Sequence, residues 1–251
     1  MKASASTRRI SDEIAMPLRT TYSESNKQTP EVSAVILTYN EEIHLRRCLE
    51  NVRLWARDIY IVDCHSCDRT QEIAKDMGAH IVTHIWPGDH ASQLNWALEH
   101  LPFKTKWVLR LDADEYLCPE LIDEIKQRLD DLPEDVTGVV FKRRHIFLGK
   151  WMKRGTYPVR LLRLFRRGRA RCEQRLMDEH IELLEGRSVE FEGDFADHNL
   201  NDIGWWTAKH NGYALREAVD LLDLEYGILE GSSAADAAGS RVQTRLTPLV
   251  Q

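Results

Sequence analysis

The chain has 251 residues, of which 43% are hydrophobic and 29% are charged, and its net charge is −6. This length can bury a sizeable core, and the composition is that of a soluble globular protein, which excludes wholesale disorder, collagen and a small disulfide scaffold. The charge is unevenly distributed. Between Lys142 and Arg175 there are thirteen Lys or Arg residues and one acid, Glu173, so this basic segment (142–175) carries +12.

The first part of the chain alternates between two hydrophobic patterns. Nearly continuous β-branched runs predict buried strands, and runs with helical spacing predict helices between them. Strands are predicted at 32–39, 59–63, 79–86 and 106–116, and helices at 41–55, 68–78, 91–101 and 119–132. The helix at 68–78 is expected to start at an Asp68 cap and to end at Gly78. This βαβαβαβα order predicts an α/β fold with a doubly wound, mostly parallel sheet.

The pattern becomes less regular after a strand at 137–141, with loops, arginines and aromatic residues up to about Asp197. A long amphipathic helix is then predicted from Asp202 to Tyr226, with its apolar face packed on the sheet. The alternative is that this face contacts the acceptor or forms a dimer interface. Residues 1–30 are polar and predict a flexible segment, 31–228 form the folded domain, and the Ala/Gly/Ser-rich 229–251 predict a disordered tail.

Two features favour a cytoplasmic protein. The five cysteines are odd in number and have no framework spacing, and the polar N-terminal residues contain no apolar core of a secretory signal. No run of about eighteen apolar residues is present, so no membrane-spanning helix is expected. Peripheral attachment to the cytoplasmic membrane stays open.

Polar, acidic turns follow three of the predicted parallel strands, at 38–42, 63–68 and 112–115. The carboxyl ends of such strands meet at one edge of the sheet, where ligands bind. Neither GxGxxG nor GxxxxGK[ST] is present, so a diphosphate would have to be bound through a divalent cation, which Asp112 and Asp114 could recruit. The alternative is that this Asp-x-Asp sequence only caps the next helix.

Three smaller features each have two interpretations. Cys64-x-x-Cys67 lacks a second pair for zinc and sits among acids that oppose a thiolate, so incidental cysteines are favoured. Asp178 and Glu179 place two acids where one could act as a general base, although a solvated turn is the commoner meaning. His198 is either a metal ligand or a capping or packed residue.

Together the motifs resemble one family, the inverting family 2 glycosyltransferases of GT-A fold. Within it they are similar to the branch of bacterial lipopolysaccharide-core β-1,4-glucosyltransferases and exopolysaccharide enzymes. The resemblance covers about Val32 to Tyr226 and rests on TYNEE (38–42), VDCHSCDRT (62–70), LDADEYL (111–117), FLGKW (147–151), YPVRL (157–161), RLFR (163–166) and DEH (178–180).

The resemblance implies a role for each matching position. Glu179 is implied as the catalytic base, with Asp178 as its competitor, and a divalent cation, Mn²⁺ or Mg²⁺, as the cofactor. The implied metal ligands are Asp114, Asp112 and His198. The implied donor-binding residues, for a nucleotide-sugar that is expected to be a UDP-sugar, are Thr38, Tyr39, Asn40, Glu41, Asp63, Asp68, Asp112, Ala113 and Arg160.

The implied activity is transfer of a hexose such as glucose, with inversion, to a lipid-linked or lipopolysaccharide-core glycan at the cytoplasmic membrane face. No nucleic acid partner is expected. The alternative is a non-catalytic protein whose basic segment binds anionic membranes or nucleic acid; for a membrane, Trp151, Leu161, Leu164 and Phe165 alternate with cations there. A glycoside hydrolase with paired carboxylates would leave the strand-end acids without a purpose.

Overall fold

The computed structural model describes residues 29–174 and 179–227. Nearly all of the segment 1–30 and the whole tail 229–251 lie outside the described residues. The helices are α1 (Leu45–Val52), α2 (Thr70–Asp76), α3 (His90–His100), α4 (Pro119–Arg128) and α5 (Ile203–Tyr226), with a 3₁₀ turn at Leu129–Asp131. The strands are β1 (Val32–Thr38), β2 (Asp58–Asp63), β3 (His80–Thr83), β4 (Trp107–Asp112), β5 (Glu115–Leu117), β6 (Val136–Phe147), β7 (Lys150–Trp151), β8 (Val159–Arg166), β9 (Ala170–Cys172), β10 (Ile181–Leu183) and β11 (Arg187–His198).

One large mixed sheet organises the fold, in the order β3-β2-β1-β4-β8-β6-β11-β5, with β7 paired to β6. Strands β3, β2, β1 and β4 are all parallel, as predicted. Strand β8 is antiparallel to both β4 and β6, whereas β6 and β11 are parallel. Consequently β1, β2, β4, β6 and β11 all end at the same edge of the sheet. Strands β9 and β10 form a separate antiparallel pair.

The sheet is covered on both faces, which explains the nearly continuous apolar character of its central strands. In β1, Ala34 and Ile36 face one buried cluster, which also contains Leu49 of α1 and Leu121 of α4. The intervening Val35 belongs to the opposite cluster, with residues of α3. Alternate residues of one strand therefore stabilise two different layers.

The predicted alternation of strands and helices is confirmed, but several boundaries differ. The first helix, predicted at 41–55, spans Leu45–Val52, and the strand predicted at 137–141 continues to Phe147. The third strand was expected to continue to Trp86 and ends at Thr83, leaving Ile85 and Trp86 exposed. Strand β3 lies at the edge of the sheet and pairs with β2 alone, so no second strand provides hydrogen bonds that would lengthen it. Helix α2 starts at Thr70, and the Asp68 carboxylate accepts the Thr70 N–H at 2.9 Å rather than acting as the N-cap residue itself.

Helix α5 forms as predicted, but the expected packing of its apolar face on the sheet is wrong. None of its described side chains is buried, and Leu215 is 69% exposed. Its contact with the domain is made near its start, where the ring centroid of Trp206 lies 5.3 Å from that of Phe147. None of the described helices is long and apolar enough to cross a bilayer.

Most cations of the basic segment lie in ion pairs with acids from other elements. Eight pairs involve Lys142–Glu192, Arg143–Asp197, Arg144–Asp194, Arg160–Glu190, Arg163–Glu115, Arg166–Glu134, Arg169–Glu185 and Arg171–Glu182. The alternative interpretation, in which apolar residues alternating with cations in this segment face a membrane, is also not supported, because Leu164 and Phe165 are buried in the core. The +12 of the sequence is therefore not a single positive surface.

Gly193 marks a close approach that predicts a stability effect. It lies in β11 where this strand crosses α4, and a Cβ there would overlap the Cα of Leu121. We expect Gly193→Ala to lower the free energy of unfolding by about 1–3 kcal/mol through overpacking, measured by urea denaturation. Gly212→Ala is the matched control: it lies in α5 with nothing near its Cβ, and alanine suits a helix, so it should not destabilise. Equal unfolding midpoints for the two variants would contradict this account.

Candidate active site

The turns after β1 and β2 are bound to each other by hydrogen bonds. Thr38 donates its hydroxyl to Asp63 at 3.0 Å, and Asn40 accepts the Cys67 N–H at 2.9 Å. Asn40 adopts a left-handed backbone conformation, with φ of 55°, which asparagine tolerates better than most residues. Its own N–H is donated to the Ser66 hydroxyl at 2.8 Å. The polar loops that follow the parallel strands β1 and β2 are thus held together as one unit, the loop pair.

Asp63 and Asp68 are the acids that hold this loop pair together. Asp63 is fully buried and accepts hydrogen bonds from Thr38, from the backbone and hydroxyl of Ser66, and from Gln71 at 2.7 Å. Asp68 accepts from Thr70 and from the Glu42 N–H at 3.1 Å. Burial opposes ionisation of Asp68, but these donors prevail and lower its pKa. Both acids therefore have a structural role in shaping this edge.

The turn that follows β4 carries a buried ion-pair network. Asp112, partly exposed, pairs with Arg110 at 2.8 Å and lies 3.8 Å from Arg163 of β8. Glu115 is buried, accepts the Asp112 N–H at 2.9 Å and pairs with Arg163 at 2.6 Å. Burial, and then the charge of Asp112, raise the pKa of Glu115 well above its ordinary value. The two arginines compensate carboxylates that would otherwise repel each other.

Asp114 lies in the same turn, among acids rather than arginines. Its carboxylate accepts a hydrogen bond from the Asn199 amide at 3.0 Å. Burial raises its pKa to about 6, helped by the charges of Asp197 and Asp112, while the bond from Asn199 opposes the shift. Ionised Asp114 is thus in an environment with surplus negative charge, which a cation would relieve.

Backbone contacts place His198 next to Asp114. The His198 N–H donates to the Asp114 carbonyl at 3.1 Å. The guanidinium of Arg47, in α1, donates to the backbone carbonyls of Asp114 and His198. The His198 Nδ1 lies 3.5 Å from the Tyr116 hydroxyl. Burial and then the positive charge of Arg47 lower the pKa of His198, which favours the neutral ring that can ligate a metal.

His44 joins the loop after β1 to the start of α5. This buried imidazole lies 2.6 Å from the Glu41 carboxylate through Nδ1 and accepts the Leu200 N–H at 2.9 Å through Nε2. Both bonds form together when the ring is neutral and carries its proton on Nδ1. His44 therefore orients Glu41 and, through its other ring nitrogen, holds the backbone at Leu200, which is distant in sequence.

A cleft of about 540 Å³ opens beside Asp112. Glu179 lines it, so the structure brings one of the two predicted base candidates to the same cavity as the end of β4. Asp178 lies outside the described residues. Three arginines from different strands also line the cleft: Arg110, Arg143 and Arg163. The cleft thus combines a carboxylate with a group of cations, a suitable arrangement for an anionic ligand.

Of the predicted donor-binding residues, Asp112 alone lines this cleft. Strand β8 contributes Val159 and Leu161 to the lining, and Arg160 lies on the opposite face, paired with Glu190 at 2.8 Å. Ala113 is buried within the turn after β4. The other predicted residues lie at the carboxyl edge, where the Tyr39 side chain is 61% exposed.

The residues at this edge fit a divalent cation in chemistry, though not as a complete site. Asp112 and Asp114 offer hard oxygen ligands, and Asp114 sits in surplus negative charge. Within 29–174 and 179–227, however, no group of three His, Cys, Asp or Glu side chains is arranged to hold a metal ion. Other oxygen ligands, such as phosphates, would have to complete the coordination.

Several residues of the site carry no recognisable motif. Arg47, Asn199 and His44 act through hydrogen bonds to positions more than sixty residues away. Arg163 begins the RLFR motif (163–166) and Arg110 directly precedes LDADEYL (111–117), but the sequence assigned no role to either. Asn199 alone was next to a predicted residue, His198.

Comparison with known proteins identifies the family of the chain. The model of the family described as Glycosyl transferase family 2 matches residues 33–182. A glycosyltransferase of Rickettsia bellii, described as uncharacterized, is 38% identical over 98 residues, which are 39% of this chain and 32% of that protein. The lipopolysaccharide core biosynthesis glycosyltransferase LpsC of Rhizobium meliloti is 32% identical over 147 residues, 57% of this chain and 53% of LpsC.

Solved structures with similar folds include S. aureus TarS 1–349, with a TM-score of 0.40 and 16% identity over 54% of this chain and 46% of that chain. Another is glucosyl-3-phosphoglycerate synthase from Mycobacterium tuberculosis in complex with Mn²⁺, UDP and glucosyl-3-phosphoglycerate. Its TM-score is 0.34 with 20% identity, over 45% of this chain and 43% of that chain.

The strand-end acids and the mixed sheet define a glycosyltransferase domain of the GT-A class. The chain belongs to glycosyl transferase family 2, because the family model covers more than half of its length. It spans about a third of the length of the Rickettsia relative and about half of LpsC.

The cysteines give a direct test of the structure around the β2 turn. All five are free, and Cys67 is exposed while the other four are buried. Burial raises the pKa of Cys172 to about 12, and burial also raises the pKa values of Cys48, Cys64 and Cys118. We expect iodoacetamide to label Cys67 first in the native protein, and the other four after denaturation, as read by mass spectrometry. Native labelling of Cys64 as fast as Cys67 would contradict the structure of this turn.

Proposed function

We propose that the chain is an inverting hexosyltransferase that uses a nucleotide-sugar, a UDP-sugar, as donor. The observation that carries the proposal is that Glu179 and Asp112 line one cleft together with three arginines. A base and a set of cations at one cavity are what transfer from a sugar diphosphate requires: a proton is removed from the acceptor while negative charge develops on the leaving group.

The donor nucleoside is proposed to bind at the loops after β1 and β2. Their polar groups are Thr38, Tyr39, Asn40 and Glu41, with Asp63 and Asp68 fixing the shape of the loops. The exposed Tyr39 ring is available for stacking on a base. The diphosphate is then proposed to lie beside Asp112, at the adjoining end of β4.

The catalytic residues act at the two ends of the transferred sugar. Glu179 is proposed to accept the proton of the acceptor hydroxyl as that oxygen attacks the anomeric carbon from the face opposite the leaving group, which inverts the configuration. Arg110 and Arg163 offer positive charge on the leaving-group side of the cleft. A divalent cation, Mn²⁺ or Mg²⁺, would supply further stabilisation of the diphosphate. We propose Asp114 and Asp112 as its ligands, with His198 as a further candidate and with phosphate oxygens of the donor completing the coordination.

The acceptor is proposed to be a lipid-linked or lipopolysaccharide-type glycan at the cytoplasmic face of the membrane. Two features support this part: the similarity to LpsC and the resemblance of the motifs to the lipopolysaccharide-core β-1,4-glucosyltransferases and exopolysaccharide enzymes. The rival non-catalytic polyanion-binding protein lacks support, because most cations of the basic segment are paired with acids.

The role of Glu179 predicts a loss of turnover without a loss of donor binding. Glu179→Gln keeps the shape but cannot accept a proton, so kcat for UDP release should fall by about 10²–10⁴. The dissociation constant for the donor, from calorimetry, should change little. Glu182→Gln, on the exposed ion pair with Arg171, is the control and should remain active. Normal turnover in Glu179→Gln would refute the assignment.

The role of Asp114 predicts a coupled loss of cation binding and activity. Removal of divalent cations by EDTA should abolish UDP release, and Mn²⁺ should restore it. Asp114→Asn should weaken binding of Mn²⁺ measured by electron paramagnetic resonance in the presence of UDP, by at least about tenfold. Asp123→Asn, on the exposed surface of α4, serves as the comparison. Unchanged Mn²⁺ binding in Asp114→Asn would remove Asp114 from the metal site.

A further inference from the structure

Within the described part of the basic segment, most of the positive charge that ion pairing leaves over lies at one place. Arg167, which donates to the Phe103 carbonyl, lies elsewhere. Of the cations in the basic segment, Lys150, Lys153 and Arg154 are all exposed and form no ion pair with any residue in the described part of the chain. They belong to the segment 148–154, which follows β6, contains β7 and has no acidic residue; we call it the 148–154 hairpin. Its net charge is therefore +3.

The same hairpin exposes apolar side chains between its cations. Leu148 is 60% exposed and Met152 is 39% exposed. Leu148 also has a left-handed backbone, with φ of 47°, followed by Gly149 at φ of 73°, so a tight turn projects the tip. Exposed apolar groups among uncompensated cations match a membrane surface with anionic headgroups, since the cations approach the phosphates while the apolar groups enter the interface.

The hairpin lies at the edge of the sheet that carries the site. Ile146, near the end of β6, pairs in register with His198 at the end of β11. Phe147, at the base of the hairpin, contacts Trp206, which brings the first turn of α5 alongside. That turn adds two more exposed apolar side chains, Ile203 at 50% and Trp205 at 40%. Tryptophan is a preferred residue at the interface of a bilayer.

From these observations we propose that the 148–154 hairpin and the first turn of α5 form a docking surface for an anionic phospholipid bilayer. The surface would hold the carboxyl edge of the sheet, with its cleft, against the membrane. This inference deepens the proposed function by specifying how a lipid-linked acceptor is reached, but vesicle binding does not depend on catalysis. The charge of the hairpin, rather than that of the whole basic segment, supplies the attraction.

The test compares two triple variants with the same change of charge. One removes the hairpin cations, Lys150→Gln, Lys153→Gln and Arg154→Gln. The other removes three exposed cations from elsewhere, Lys75→Gln, Lys104→Gln and Lys126→Gln. Binding to vesicles of phosphatidylglycerol mixed with phosphatidylethanolamine is measured by co-sedimentation, and phosphatidylcholine vesicles serve as the neutral surface.

We expect the wild-type protein to bind the anionic vesicles, and to release them as salt is raised. Each basic side chain strengthens such binding about fivefold, so the hairpin variant should bind about a hundredfold more weakly while the control variant binds almost like the wild type. Leu148→Asn, which suits the left-handed backbone, should weaken binding less than the triple variant does.

Equal losses in the two triple variants would overturn the proposal, as would absence of wild-type binding to anionic vesicles. Tighter binding to a single-stranded oligonucleotide of scrambled sequence than to the vesicles would also overturn it, in favour of a nucleic acid partner. UDP release measured without vesicles separates the two proposals. The hairpin variant should release UDP as fast as the wild type. If the wild-type protein released no UDP, the proposed function would be refuted, but the docking surface would not.

Discussion

The repulsion between carboxylates gathered at one edge of the sheet is the constraint on which the rest of the structure depends. Asp112 ends β4, Asp114 lies in the turn that follows, Glu115 begins β5 and Asp197 lies near the end of β11. Burial makes their mutual repulsion costly. Arg163 compensates Glu115, Arg110 compensates Asp112, and Arg143 lies 3.6 Å from Asp197. Asp114 alone among them has an amide rather than a cation as its partner. The edge is therefore stable as a whole while keeping one position that favours a cation.

This pairing also explains the uneven charge of the chain. The acids of the central strands and the cations of the basic segment are far apart in sequence but interleave in the mixed half of the sheet, where β8 runs between β4 and β6. An arginine placed in β8 or β6 thus meets an acid from β5 or β11. Buried pairs of this kind serve specificity of the fold more than stability, because desolvation offsets most of the attraction. The basic segment is largely an internal component of the sheet.

The same edge organises the proposed function. Loops after β1 and β2 are fixed by buried acids, the cleft beside β4 combines Glu179 with arginines, and the uncompensated hairpin lies next to His198. A donor, an acceptor and a membrane would approach from one side. Helix α5 extends from this side with most of its surface exposed, so its contribution to stability is small compared with that of α1 and α4.

The sequence by itself determined the alternation of strands and helices and the clustering of acids at three strand ends, because hydrophobic periodicity and strand polarity are local properties. It also identified the family resemblance through short motifs. Only the tertiary structure decided which charges remain uncompensated, because ion pairs such as Arg163–Glu115 and Arg143–Asp197 join residues far apart in sequence. It likewise decided that Arg160 lies away from the cleft, where it pairs with Glu190 of β11, a residue distant in sequence. The exposure of the apolar face of α5 could not be predicted from hydrophobic periodicity either. Periodicity shows that a helix is amphipathic, but it does not show which element packs on its apolar face.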